Sequence, residues 1–99
     1  MFDYTVEDLS GWKAKHGQLY EVVVGEGEEA KKAILRSPSR QDMSYAMSVK
    51  DPIKMSETIL KNCWVAGDEE IKTDDQYFLG AISQIDTIMQ IKTAEIKKL

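Results

Sequence analysis

The sequence predicts an α+β fold in which a β-hairpin packs with three or four α-helices, the last of them long. A run of β-branched and aromatic residues, Leu19 to Val24, precedes a glycine-containing break and a second run of strand type. Helix-start signals recur four times along the chain. Between Phe78 and Leu99, apolar residues follow alternating steps of four and three, which is the spacing of one helix face. Because a two-stranded hairpin is marginal alone, it must pack on the helices or on another copy of the chain.

Composition favours one small domain spanning residues 1–99. The 99 residues are 42% apolar and 30% charged, which is ordinary for a globular protein. The net charge of −4 argues against nucleic-acid binding, which needs a basic face. Cys63 is the single cysteine, as expected in a reducing cytosol. The N-terminus lacks a signal-peptide pattern and no apolar run approaches the roughly 20 residues that cross a bilayer, so we expect a cytoplasmic protein without membrane contact.

A helix is expected first, from Thr5 to His16. Thr5 and Asp8 have the spacing of a capping box, and Gly17 is suited to end the helix. Strands from Leu19 to Val24 and from Ala30 to Arg36 then form the hairpin. The glycines of its loop, at 25 and 27, lack the lysine and following helix of a phosphate-binding loop, so they indicate a turn.

Two further helices follow the hairpin. Ser39 stands three residues before Asp42, which predicts a second capped start. Asp51 and Pro52 predict a third, because proline suits the first helical position. This helix is expected to continue through Cys63 and to end before Gly67.

The last helix is predicted from about Asp74 to near Leu99, roughly 38 Å long at 1.5 Å per residue. Thr73 and Gln76 supply a capping box at its start. A helix this long would outrun the small core, so its distal half either packs inward or meets a second subunit. The residues predicted for self-association are Ile88, Ile91, Ile96 and Leu99, and a homo-oligomer is expected.

Catalysis is not expected from this chain, nor is a cofactor or a metal site. The one cysteine and the one histidine, His16, lie in different segments without the signature of a thiol enzyme. Five acids between Asp68 and Asp75 suggest calcium, but their spacing does not fit the EF-hand loop. Helix capping and solubility account for them more simply, and docking of a basic partner stays open.

Partner binding is the function that the apolar residues favour. Trp64 is either a core residue or an interface anchor, and the methionines either fill gaps or form an adaptable surface. The residues predicted to contact a partner are Met43, Met47, Trp64, Phe78, Ile82, Ile85 and Met89.

Six short blocks between residues 36 and 79 carry a resemblance to a known family. They read RSPSR (36–40), SYA (44–46), DPIK (51–54), ILKNCW (59–64), GDEEI (67–71) and DDQYFL (74–79). With the order of the elements around them, they resemble small phage and prophage tail assembly chaperones over residues 16–99. Proteins of that family bind the long, hydrophobic tape-measure protein and keep it soluble while the tail tube assembles.

The resemblance therefore implies a non-enzymatic protein of the bacterial host cytoplasm that binds a tape-measure protein. Two other classes stay open from the sequence. One is a structural tail or head-completion protein that is retained in the virion. The other is a small acidic inhibitor of a basic host protein, for which the acids from Asp68 to Glu70 are the candidate surface.

Overall fold

A three-stranded antiparallel sheet with the order β1-β2-β3 organises the chain. Strand β1 is Leu19–Val24, β2 is Lys31–Arg36 and β3 is Trp64–Gly67. The computed structural model describes residues 2–89 and 94–99. Within these residues the sheet is accompanied by six α-helices and a 3₁₀ turn at Gly27–Glu29, which confirms the predicted α+β class and the hairpin of β1 and β2.

Helix α1, Val6–His16, begins and ends as predicted. The Thr5 hydroxyl accepts a hydrogen bond from the Asp8 amide, and the Asp8 carboxylate accepts one from the Thr5 amide, both at 3.0 Å. At the other end Gly17 has a φ of 81°, which glycine adopts without strain, and its N–H donates to Lys13 O.

The two faces of the sheet are covered by different parts of the chain. Val22, Ala33 and Leu35 share one face and join the main core cluster with the helices that follow the hairpin. Ile34 faces the other way, as does Glu21, which accepts a hydrogen bond from the hydroxyl of Tyr4. On that second face lie the stacked rings of Phe2, Tyr4 and Trp12.

The main core consists of small and aliphatic side chains from the sheet and from the helices after it. Its buried members are Val22, Ala33, Leu35, Ala46, Ile59, Leu60, Cys63, Ile71, Ala81, Ile85 and Ile88.

Helices α2 (Arg40–Met47) and α3 (Pro52–Asn62) form an antiparallel pair on the core face. Ser39 and Asp42 form the predicted capping box. The Asp51 carboxylate accepts hydrogen bonds from the amides of Ile53 and Lys54, with Pro52 at the first position, also as predicted. Local hydrogen bonds over two or three residues therefore fix both helix starts.

The prediction that the third helix continues through Cys63 towards Gly67 is wrong. The helix ends at Asn62, and Trp64–Gly67 is the third strand. Strand β3 pairs with the outer side of β2, with a register shift between Ile34 and Leu35. If residues 64–67 were helical, the outer N–H and C=O groups of β2 would have no partner in the sheet. Pairing with β3 supplies those hydrogen bonds, so a contact with a distant segment decides the conformation of residues 64–67.

The long C-terminal helix is also a wrong prediction. Helix α4 is Glu70–Thr73, α5 is Asp75–Ile82 and α6 is Ile85–Ile88. Thr73 ends α4 rather than capping α5, whose cap is Asp74, with its carboxylate accepting from the Gln76 amide at 2.9 Å.

A local hydrogen bond accompanies the break between α5 and α6. The Ser83 hydroxyl donates to Gly80 O at 2.6 Å, so the side chain competes with the helical ladder. Gln84 leaves helical geometry, with φ and ψ of −105° and 0°. The resulting turn places Ile85 and Ile88 in the core.

Residues 94–99 have no regular secondary structure and are exposed. Ile91, one of the residues predicted for self-association, lies outside the described residues. Among the helices at 2–89, none combines the length and the apolar character needed to cross a bilayer.

Gly67 is expected to be intolerant of a side chain. Its φ is 157°, and a Cβ there would lie 2.6 Å from Ala33 Cα and 2.8 Å from Lys32 O, which are backbone atoms that cannot rotate away. We expect Gly67→Ala to lower the free energy of unfolding by about 2–4 kcal/mol in urea denaturation.

The matched control is Gly11→Ala, in the middle of α1. Nothing lies within 4 Å of the added Cβ. Because alanine favours helix over glycine, this variant should gain about 0.5–1 kcal/mol. Equal effects at the two positions would contradict the close approach of β3 to β2.

Candidate functional site

The most concentrated group of polar contacts is the ion pair of Arg36 and Asp42. Arg36 Nη1 lies 2.6 Å from Asp42 Oδ2, and Nη2 lies 3.3 Å from Oδ1, so the pair is bidentate. Nη2 also donates to Asn62 O at 2.7 Å, and Nη1 donates to Ser37 O at 3.2 Å. The pair thus connects the end of β2 to the start of α2 and the end of α3.

Asp42 is the buried polar member of this group, with 6% of its surface exposed. The hydrogen bond from Arg36, with further ones from Ser39, lowers the pKa of Asp42 to about 2, although burial acts in the opposite direction. The same hydrogen bond raises the pKa of Arg36. The carboxylate therefore stays ionised throughout the ordinary pH range.

Cys63 lies beside the pair, with its Sγ 4.0 Å from Asp42 Oδ2. Burial raises the pKa of the Cys63 thiol to about 11, against the lowering effect of the Arg36 charge. A nucleophilic cysteine requires a thiolate, so this protonated and fully buried thiol belongs to the core, as the sequence predicted.

The acidic cluster is occupied with structural contacts. Asp68 accepts hydrogen bonds from the Phe2 amide at 2.7 Å and from the Lys32 amide at 3.0 Å. Glu69 pairs with Lys72 and Glu70 pairs with Lys31, each at 2.9 Å. In residues 2–89 and 94–99, no three acidic, histidine or cysteine side chains converge as metal ligands. The side chains of Glu69 and Glu70 are nevertheless 72% and 57% exposed, so the inhibitor hypothesis stays a prediction.

Most residues predicted for partner contact pack against the core. Met43, Trp64, Phe78, Ile82 and Met89 are half-buried against it. Lys72 Nζ lies 4.4 Å from the centre of the Trp64 ring, which is cation–π distance.

Ile85 and Met47, predicted for partner contact, and Ile88, predicted for self-association, differ sharply in exposure. Ile85 is 1% exposed and Ile88 is 5% exposed, so both are core residues, and a contact with another chain would require them to leave the interior. Met47, by contrast, is 72% exposed. Ile96 and Leu99, predicted for self-association, are fully exposed.

Met47 belongs to an exposed apolar surface that the sequence reasoning found only in part. Tyr45 and Met47 lie in the last turn of α2, and Ile53 lies in the first turn of α3, across a connection of four residues. Tyr45 is 57% exposed and Ile53 is 51% exposed. We call these three residues the α2–α3 corner. The sequence signal was the apolar side chains on either side of the predicted cap at Asp51.

A groove beside strand β1 is the second surface, and the sequence reasoning missed it. Its volume is about 530 Å³. Every residue from Tyr20 to Gly25 lines one side, and the other side is formed by Gly80, Ser83, Gln84, Thr87 and Ile88. The wall of the groove opposite β1 is formed where α5 ends and α6 begins. The predicted continuous last helix would have had no such break.

Comparison of the chain with family models, with curated proteins and with solved structures gives no match. The geometry of its surfaces therefore carries the functional argument, and the resemblance to tail assembly chaperones stays a prediction.

Asp42→Asn is expected to lower the free energy of unfolding by about 2–4 kcal/mol at pH 7, because it leaves the Arg36 charge unpaired at a partly buried site. Asp8→Asn is the matched control, since Asp8 holds the same position in the exposed capping box of α1. That variant should lose less than about 1 kcal/mol. Urea denaturation of both variants makes the comparison, and equal losses would contradict the special role of Asp42.

The ion pair of Arg36 and Asp42 also makes the stability of the protein depend on pH in acid. The pKa of Asp42 is depressed in the folded state, so its contribution is complete above the ordinary value of 3.8 and is lost as the pH falls towards about 2. We expect the wild-type free energy of unfolding to fall by about 2 kcal/mol more than that of Asp42→Asn between pH 4 and pH 2. Parallel pH profiles would contradict this assignment.

Cys63 should resist alkylation in the folded protein. With a pKa of about 11, roughly one thiol in a thousand is ionised at pH 8, and burial blocks access as well. Labelling with iodoacetamide followed by mass measurement should show little modification in buffer and complete modification in 8 M urea, which serves as the control. Rapid labelling in buffer would place the thiol at the surface.

Proposed function

We propose that this protein is a non-enzymatic tail assembly chaperone that binds the tape-measure protein of a phage or prophage. The observation that carries the proposal is the α2–α3 corner, where Tyr45, Met47 and Ile53 are all more than half exposed at the connected ends of two packed helices. Exposed apolar side chains grouped at one place are typical of protein-binding sites. The family resemblance supplies the identity of the partner.

The chemistry of the corner suits an apolar helical partner. Methionine has a flexible, polarisable side chain that adapts to differently shaped apolar surfaces. Tyrosine adds a rigid aromatic contact with a polar tip. The exposed residues Ser44, Ser48 and Lys54 provide a polar rim around it. Such a surface can bind successive apolar stretches of a long helix without requiring one particular sequence.

The remaining surface supports solubility of the complex. The chain carries a net charge of −4, and its charged side chains are mostly exposed. A bound apolar segment would therefore be covered by an acidic particle that repels others like it. Met43, Trp64, Phe78, Ile82 and Met89, half-buried against the core, stay predicted contacts.

Co-expression with the tape-measure protein of the same phage or prophage tests the proposal. We expect the wild-type chain to keep that protein in the soluble fraction and to co-purify with it. The double variant Met47→Ser and Ile53→Ser should weaken binding at least about tenfold in a titration, since interface anchors each contribute about 1 kcal/mol or more. The double variant should fold normally, because both side chains are exposed.

Val6→Ser is the matched control. Val6 is 80% exposed on α1, so the substitution removes an apolar surface residue away from the corner. It should leave binding unchanged. Equal loss in the control and the double variant, or no binding by the wild type, would refute the proposal.

Mass spectrometry of purified virions separates this function from that of a structural tail or head-completion protein. A chaperone leaves the particle when assembly is complete, so the chain should be absent or present only in traces. Its presence in stoichiometric amounts would refute the chaperone function.

A further inference from the structure

The outer side of strand β1 is an unpaired edge among the described residues, because the strand order ends at β1. The hydrogen bonds between β1 and β2 show which backbone groups of β1 point away from the sheet. Ser37 N donates to Gln18 O, so the Gln18–Ser37 pair is hydrogen-bonded, and such pairs alternate along an antiparallel ladder. The backbone groups of Tyr20 and Val22 therefore point to β2, and those of Glu21 and Val23 point away from the sheet.

The groove described above runs along this edge. Six consecutive residues, 20–25, line it, although successive side chains of a strand point to opposite faces. A groove that runs beside the strand edge can contact the residues of both faces. Its opposite wall, at Ser83, Gln84 and Thr87, lies beyond the edge and leaves a channel of about 530 Å³. A channel with one open strand edge as its wall fits an extended peptide segment.

Strand β1 lacks the devices that usually protect an edge. Its sequence, LYEVVV, contains no proline or lysine, and the register with β2 is regular over all six residues. Val23 is 55% exposed on the outer face. The opposite edge, β3, has four residues and pairs through a register shift. The β1 edge is therefore the one that a further strand would extend.

We propose that segment 94–99 of a second copy of this chain docks on the β1 edge as a fourth strand. The segment has no regular secondary structure, and its apolar side chains are exposed: Ile96 is 97% exposed and Leu99 is fully exposed. Because Ile96 is exposed in the single chain, its own groove does not bury it. Residues 94–96 suffice to pair with Val22 to Val24, which is about 10 Å of strand at roughly 3.3 Å per residue.

Charge sets the direction of the docked strand. The loop after β1 carries three exposed carboxylates, Glu26, Glu28 and Glu29, and the segment carries Lys97 and Lys98 at its far end. Opposite charges meet when the segment runs parallel to β1 with its lysines at the loop.

The side-chain alternation then sets the register. Ile96 must enter the channel on the core face, beside Val24 and near Gly80. That register places Glu95 beside Val23 on the outer face and Lys98 beside Glu26. It also keeps Glu95 away from Glu21, which a shift of two residues would bring opposite. Exchange of the two segments between two copies closes a symmetric dimer in which Val22 to Val24 of each β1 edge are paired.

Sedimentation velocity over a concentration series tests the association. We expect the wild type to form a concentration-dependent dimer. Ile96→Ser should raise the dimer dissociation constant at least about tenfold, because it removes the side chain that fills the channel. Val23→Pro should do the same, since it removes an outward N–H that takes no part in the ladder with β2.

Val6→Ser, exposed on α1, is the matched control and should dimerise like the wild type. Circular dichroism of each variant checks that the fold is kept. A wild type that remains monomeric would overturn the proposal, as would a dimer that is unaffected by both Ile96→Ser and Val23→Pro.

Disulfide trapping tests the register. A Val23→Cys chain mixed with a Glu95→Cys chain should give a cross-linked pair under mild oxidation, because facing side chains of paired strands have Cβ atoms about 5 Å apart. The buried Cys63 stays out of the reaction. Ile53→Cys mixed with Glu95→Cys controls for random collisions and should give much less product.

A chain that carries both Val23→Cys and Glu95→Cys shows whether the docked segment comes from a second copy or from the same chain. Intermolecular disulfides support docking between copies. A disulfide that forms only within the monomer would overturn the proposal, since the segment would then fill its own groove. Equal yields of cross-linked product from Glu95→Cys with Val23→Cys and from Glu95→Cys with Ile53→Cys would overturn the register.

Discussion

The bidentate ion pair of Arg36 and Asp42 is the constraint on which the arrangement of the other elements depends. It joins the end of β2 to the N-terminus of α2, six residues later, and to the C-terminus of α3, 26 residues later, through Asn62 O. Arg36 uses its backbone as well, because its N–H donates to Cys63 O where β3 begins. Removal of either charge would leave the other unpaired beside the core, so the four segments are positioned together.

This constraint also determines which apolar residues are exposed. The antiparallel helices α2 and α3 are tied to the sheet at one end, where α2 begins and α3 ends. Their other end carries Tyr45, Met47 and Ile53, and Tyr45 and Met47 lie about 5 to 8 Å along α2 from Asp42. The anchored end supplies rigidity, and the far end projects side chains that the domain does not cover. A binding surface held on a fixed helical pair loses little conformational entropy when a partner binds.

The sheet has a similar asymmetry between its edges. Strand β3 is held by the Arg36 group at its start and by the Asp68 contacts with Lys32 at its end. Strand β1 pairs only through β2 among the described residues, and its outer edge faces a channel instead of a covering element. The break at Ser83 and Gln84 creates this channel, because it turns α6 into the core and separates it from β1. The α2–α3 corner and the groove beside β1 therefore both lie away from the contacts of Arg36 and Asp68 that stabilise the fold.

Local signals were predicted correctly because each depends on residues within one helical turn. The capping boxes at Thr5 and Ser39, the cap at Asp51 and the stop at Gly17 satisfy backbone groups two to four positions away, so the sequence determines them alone. The class of the fold and the β1–β2 hairpin followed from the same short-range patterns. At the start of α5, two competing caps lay side by side, and the choice of Asp74 over Thr73 shifted the boundary by one residue.

Only the tertiary structure decided the third strand, the break in the last helix and the exposure of the apolar residues. Trp64 to Gly67 became a strand because the outer backbone groups of β2, thirty residues earlier, required partners. The row of helical spacing after Phe78 is apolar in sequence except at Lys92, but burial of Ile85 and Ile88 beneath the sheet required a turn at Ser83 and Gln84. Burial is a property of which distant segments meet, and no periodicity within one segment contains that information. Thus the sequence by itself determined where helices start and which residues are apolar, and the packing of distant segments decided which of those residues form the surface.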